Sequence, residues 1–148
     1  MTLLVTAAAL AAATAGCGSD ESGRLPSACA DSVTRVRDAL AKAPGAVALD
    51  GVPLSTCVQR ARTGAEIQTI GVLFTATADA LAARARDSDA AALQLGYLLG
   101  ATRRGASRTS GLHAELIRRL ENSSGLDGMA AARRAAFRRG VAAGGAGG

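Results

Sequence analysis

Residues 88–104 read S-D-A-A-A-L-Q-L-G-Y-L-L-G-A-T-R-R. Between Ala90 and Ala101 the polar side-chain groups are the Gln94 amide and the Tyr97 hydroxyl. A helix that is apolar all round is a buried helix with neighbours on every side. On a helical wheel Leu93, Gly96, Tyr97 and Gly100 share one face, and Leu95, Leu98 and Leu99 lie opposite. The run is too short for a bilayer, which takes about 20 apolar residues. Residues 88–104 are therefore expected to form the core helix of an all-α domain, a small bundle of about five helices with one disulfide. Gly96 and Gly100 cost helix propensity, so they are expected to admit a close neighbour.

Outward toward the C-terminus, residues 105–110 are a loop. Residues 111–122 form a helix whose apolar face is Leu112, Leu116, Ile117 and Leu120, and Glu115 is spaced to pair with Arg118 or Arg119. Residues 123–141 hold a basic helix anchored by Phe137, with Arg133 inside its apolar arc. Residues 142–148, A-A-G-G-A-G-G, are expected to be disordered.

Outward toward the N-terminus, residues 65–87 carry the clearest amphipathic pattern. Ile67, Ile70, Gly71, Phe74, Ala78, Leu81 and Ala85 fall within about 100° of one another. Ser55 is expected to cap a short helix over residues 56–62 that bears Cys57. Residues 46–53 form an apolar loop around Asp50-Gly51; Pro53 argues against a hairpin there. Ser27 is expected to cap a first helix running to about Ala43, with Cys29, Val33, Val36 and Leu40 inward. Helical residues 27–122 form the domain, and residues 17–26 form a tether to it of at most about 35 Å.

The chain of 148 residues has a net charge of +5. Sixteen arginines stand against one lysine, Lys42. That bias fits a GC-rich genome. The charge is uneven: residues 101–148 hold nine arginines and three acids, whereas residues 24–89 are nearly balanced. Arg103, Arg104, Arg108, Arg118 and Arg119 are the candidate anion-binding residues, for acidic lipid or an acidic envelope polymer. The alternative is a plain solvated face, and Arg103 and Arg104 also suit a helix C-terminus. Nucleic acid is disfavoured, because no aromatic is interleaved for base stacking.

No G-x-S-x-G elbow, P-loop, dinucleotide fingerprint or HExxH occurs. No cofactor or metal is expected: a lone histidine and no C-x-x-C spacing make a metal site improbable. The chain is accordingly read as a non-enzyme, with no catalytic residue assigned. His113 and Tyr97 are the candidate lining of a small-ligand pocket; the alternative is that both are packed core residues.

Residues 3–15 are an apolar run of the length of an export signal core, closed by Thr14-Ala15-Gly16-Cys17. This resembles the lipobox of bacterial lipoproteins. The resemblance implies that residues 1–16 are a signal peptide and that Cys17 is lipidated, leaving the chain anchored to the outer face of the cell membrane. Plain secretion, or a short buried N-terminal helix, are the other readings of the run. The stretches 95–105, L-G-Y-L-L-G-A-T-R-R-G, and 111–121, G-L-H-A-E-L-I-R-R-L-E, resemble small helical envelope lipoproteins of GC-rich bacteria. That resemblance implies location and fold class and no activity. Cys29 and Cys57 remain as an even pair, which an oxidising compartment closes into a disulfide; two buried free thiols are the cytosolic alternative.

Overall fold

The computed structural model describes residues 23–109, 111–125 and 127–148. The expected signal segment, the expected lipidation site Cys17 and the first part of the expected tether lie outside them. The fold is all-α, with six α-helices and one small hairpin among the described residues. A 3-10 turn, Ser27–Ala30, leads into α1, Val33–Leu40; then follow α2, Leu54–Arg60, α3, Gly64–Ala85, α4, Asp89–Ala106, α5, Leu112–Ser123, and α6, Ala131–Gly147. The apolar run is α4, and it is central: α2, α3, α5 and α6 all pack on it. Tyr97, Leu95 and Leu98 are fully buried there. Ser88 caps it, accepting from the Ala91 N–H at 3.2 Å.

Four local expectations change. The first helix is two elements, because Ser32 and not Ser27 supplies the cap, accepting from the Arg35 N–H at 3.3 Å. The loop 46–53 is a minimal hairpin after all. β1, Ala48–Leu49, pairs antiparallel with β2, Val52–Pro53. Asp50 and Gly51 both take positive φ, 46° and 83°, the backbone of a two-residue hairpin turn. Pro53 stands at the end of the ladder, where a missing donor is tolerated. Ser55 lies inside α2, which starts after Pro53; its hydroxyl donates to the Gly148 carbonyl.

The fourth change is the largest. Of residues 142–148, expected to be disordered, all but the last finish α6 and Gly148 is its C-cap, and the basic helix begins at Ala131 rather than near residue 123. Gly140 and Gly144 of α6 press on the main chain of α4, while Gly96 and Gly100 of α4 press on α6. A Cβ on Gly96 would stand 2.0 Å from the Phe137 carbonyl oxygen, and one on Gly140 2.0 Å from that of Leu93. On Gly100 and Gly144 the corresponding distances are 2.2 Å, to Val141 and Tyr97. The neighbour that Gly96 and Gly100 admit is thus the glycine stripe of α6. Glycine weakens an isolated helix by about 1 kcal/mol per residue; dispersion between two backbones in contact along three turns offsets it.

The start of α3 is a capping box. Thr63 Oγ1 accepts from the Glu66 N–H at 3.2 Å, and Glu66 Oε2 accepts from the Thr63 N–H at 3.0 Å. Glu66 also takes the N–H groups of Arg62 and Leu25, so one carboxylate ties the N-terminal segment to α3. The Thr63, Arg62 and Leu25 amides hold its pKa at about 2, against an ordinary 4.5. A carboxylate lowered by folding stabilises the fold above its unfolded pKa, and that contribution is lost as pH falls through the folded value. Glu66→Gln, which keeps one acceptor and loses the charge, is expected to flatten stability between about pH 4.5 and pH 2. Acid titrations followed by circular dichroism check this; parallel curves for the variant and the parent would refute it.

Candidate functional site

The two residues expected to line a pocket are set in packing, on separate partners. Tyr97 is fully buried, and its hydroxyl accepts from the Val47 N–H at 3.4 Å. His113, 7 % exposed, places Nε2 3.1 Å from the Val58 carbonyl. A carbonyl oxygen only accepts, so this nitrogen carries the proton and donates. Tyr97 joins α4 to the segment before the hairpin, and His113 joins α5 to α2. Each satisfies a main-chain group that would otherwise be buried without a partner, and the contact between Tyr97 and His113 that a shared pocket requires is replaced by these two.

The five candidate anion-binding arginines also divide. Arg103 pairs with Glu121 at 2.6 Å. Arg104 donates to the carbonyl of Gly145 at 3.0 Å and to that of Ala146, placing a cation at the negative end of α6. Arg118 and Arg119 both bind Glu115, at 2.8 Å. Their guanidinium donors pull the Glu115 carboxyl down to about 2 and raise Arg118. Arg108 remains, beside Arg104, in a small polar cleft of about 350 Å³ that includes Ser55, Gln59 and Ser107. Four of the five are therefore engaged within the protein, and the arrangement is a bracing of α4, α5 and α6 more than an open anion site.

A further group of arginines lies on α6. That helix carries Arg133, Arg134, Arg138 and Arg139 and no acid. Arg133 turns inward, 3.7 Å from Asp89. The other three are exposed, and among the described residues none has an ion-pair partner.

A second surface escaped the sequence reading. A cleft of about 610 Å³ runs between α3 and α5, with Ile67, Gly71, Val72, Leu112 and Leu116 as its apolar lining and Asp79, Glu115 and Arg119 among its charged groups. Val72 is 66 % exposed and Leu112 57 %. Leu112, expected to face inward, instead lies at this cleft, because the buried stripe of α5 is His113, Leu116 and Leu120. Val72 also borders a second cleft, of about 640 Å³, toward the start of α1. The signal was present in the sequence: Val72 is the large aliphatic side chain of α3 that falls well outside its apolar arc.

Among the described residues no group of three or more His, Cys, Asp or Glu is placed to hold a metal ion, and no helix is long and apolar enough to cross a membrane. Cys29 and Cys57 form a disulfide, with their Cα atoms 5.4 Å apart and both residues fully buried. Comparison with known proteins finds no matching family model, no similar curated protein and no similar solved structure.

Proposed function

We propose that the protein is an exported, lipid-anchored helical module of the cell envelope, acting by contact with other envelope components and not as an enzyme. The observation that carries the reading is the buried Cys29–Cys57 bond. Such bonds persist in oxidising compartments and are rare in the cytosol. It agrees with the apolar run and Thr14-Ala15-Gly16-Cys17 at the N-terminus, read as a lipoprotein signal. A contact role is supported by Val72 and Leu112, two large apolar side chains left exposed at one cleft.

Intact mass spectrometry of the protein taken from native membranes tests the anchor. The expected mature chain begins at Cys17 and carries a diacylglycerol. A chain that starts elsewhere, or a Cys17 without lipid, overturns this reading in favour of plain secretion or retention. A second reading, contact with an anionic envelope component, is favoured by Arg134, Arg138 and Arg139 of α6, which are exposed and, among the described residues, have no ion-pair partner. A pocket for a substrate or small ligand at Tyr97 and His113 has no comparable support, since both side chains are engaged with main-chain groups.

A further inference from the structure

We propose that the outer face of α6 lies on the membrane, with Arg134, Arg138 and Arg139 held against the phosphates of anionic lipid headgroups. This rests on the envelope location proposed above. It names the surface that faces the bilayer, and moves the anion contact away from Arg103, Arg104, Arg118 and Arg119.

The first argument is charge. At 100° per residue Arg134, Arg138 and Arg139 fall within an arc of about 140°. That arc lies opposite Gly140 and Gly144, the stripe that presses on α4. Ala131, Ala135, Ala142 and Gly145 fill the spaces between them. The packing of α6 thus aims its unpaired arginines outward as a group. The inward turn of Arg133 to Asp89 separates the one arginine that has a structural partner from the three that do not. Three exposed like charges on one helix repel each other, and a sheet of opposite charge relieves that repulsion.

The second argument is shape. The face is built of arginine, alanine and glycine, and none of the clefts described above is lined by an α6 residue. Recognition of a discrete small anion needs a concave site with convergent donors. A convex helix face with long, flexible guanidinium arms suits a planar array of phosphates, each able to take two parallel N–H donors. Rigidity adds to this. Arg104 ties down the C-terminal carbonyls of α6, and the glycine contact fixes its rotation, so the three arginines are presented without further ordering of the helix.

The third argument is reach. A tether from Cys17 to Gly23 spans at most about 25 Å when extended. A domain held that close to a bilayer must turn some face to it, and a neutral or acidic face would gain nothing from anionic lipid.

The test uses the full chain carrying Cys17→Ser, so that no acyl group contributes. Binding is measured by co-sedimentation with vesicles of phosphatidylglycerol and phosphatidylcholine, and with vesicles of phosphatidylcholine alone. The ratio of the two affinities reads headgroup charge, since any apolar insertion by residues 3–15 is common to both. Each arginine near an anionic surface contributes about fivefold, so the triple variant Arg134→Gln, Arg138→Gln, Arg139→Gln is expected to lower the ratio by roughly a hundredfold. The variant Arg134→Lys, Arg138→Lys, Arg139→Lys should keep most of it, and its far-ultraviolet spectrum should match the parent. The control Arg103→Gln, Arg118→Gln, Arg119→Gln removes equal charge and is expected to change the ratio by less than about tenfold. A ratio untouched by the α6 glutamines, or lowered as far by the control, overturns the proposal. So does tight binding of soluble polyphosphate with no preference between the two vesicles, which would assign the face to an acidic polymer. Failure here leaves the anchor intact, because acylation of Cys17 is read independently from the mass of the native chain.

Discussion

Gly140→Ala should destabilise the protein by about 3 kcal/mol, while the same substitution at Gly145, further along α6 and on its outer face, should be neutral or stabilise it by up to about 1 kcal/mol. The contrast isolates contact from propensity. Alanine is the better helix former at both positions, so intrinsic preference predicts a gain at each. At Gly145 the new methyl group meets nothing within 4 Å, and the gain is kept. At Gly140 it meets the Leu93 carbonyl oxygen at 2.0 Å and the Tyr97 nitrogen at 2.8 Å. Those are main-chain atoms in the middle of α4, and neither rotates away. Relief requires α6 to move off α4 by an ångström or more along its whole length, which opens the contact at Gly96, Gly100 and Gly144 together. Gly71, on α3, is a second control with open space around its Cβ position. Thermal unfolding of the three single variants is the measurement, and at about 2–4 °C per kcal/mol for a chain of this size Gly140→Ala should melt roughly 10 °C lower. A Gly140→Ala variant that melts at or above the parent would mean that α6 does not pack on α4 through its glycines.

The visibility of each element in the sequence follows from the kind of atom that buries it. Residues 88–104 declared themselves because leucine, tyrosine and alanine carry a hydropathy signal on every face. The α6 glycines carry none: Gly140 and Gly144 are buried through their main chain, and A-A-G-G-A-G-G has the composition of a disordered tail. The matching i,i+4 glycine pairs, Gly96 with Gly100 and Gly140 with Gly144, were nonetheless legible as a spacing. The hairpin was hidden by a general rule about proline that exempts the last position of a ladder. The site shows the same division. Glu115 with Arg118 and Arg119 is a local pair, readable from intervals of three and four residues. Arg103 with Glu121, and Arg104 with the α6 carbonyls, depend on which helices lie side by side, and no spacing reveals that. Tyr97 and His113, expected as a pocket lining with packed core residues as the alternative, are buried, and their partners are main-chain atoms of Val47 and Val58. Any residue can supply those atoms, so the sequence offered nothing to match them with.

Reduction of the Cys29–Cys57 bond should lower the melting temperature by roughly 10 °C. The bond closes a separation of 28 residues, for which the chain-entropy relation gives about 3–4 kcal/mol. Its effect is large here because of what surrounds it. The segment it fastens is a single 3-10 turn, Ser27–Ala30, with Cys29 as its one buried residue. Apart from the disulfide, that segment is tied to the body by the Leu25 amide on Glu66 and by the packing of Leu25 and Ala28 on the core. The partner helix, α2, is short and has no side-chain cap. Without the bond, the N-terminal end of the segment that contains α1 and the hairpin is held by that amide and that packing alone. The double variant Cys29→Ala, Cys57→Ala and the parent in excess reductant should therefore unfold at similar temperatures, both well below the oxidised parent. Equal melting of the oxidised and reduced parent would refute the prediction. The same sulfurs test the compartment. Both cysteines are fully buried, so alkylation has to be carried out in denaturant, before and after reduction. Protein from its native source should show Cys29 and Cys57 blocked in the first labelling and free in the second. Two thiols free at the outset would remove the bond, and with it the observation on which the exported location rests.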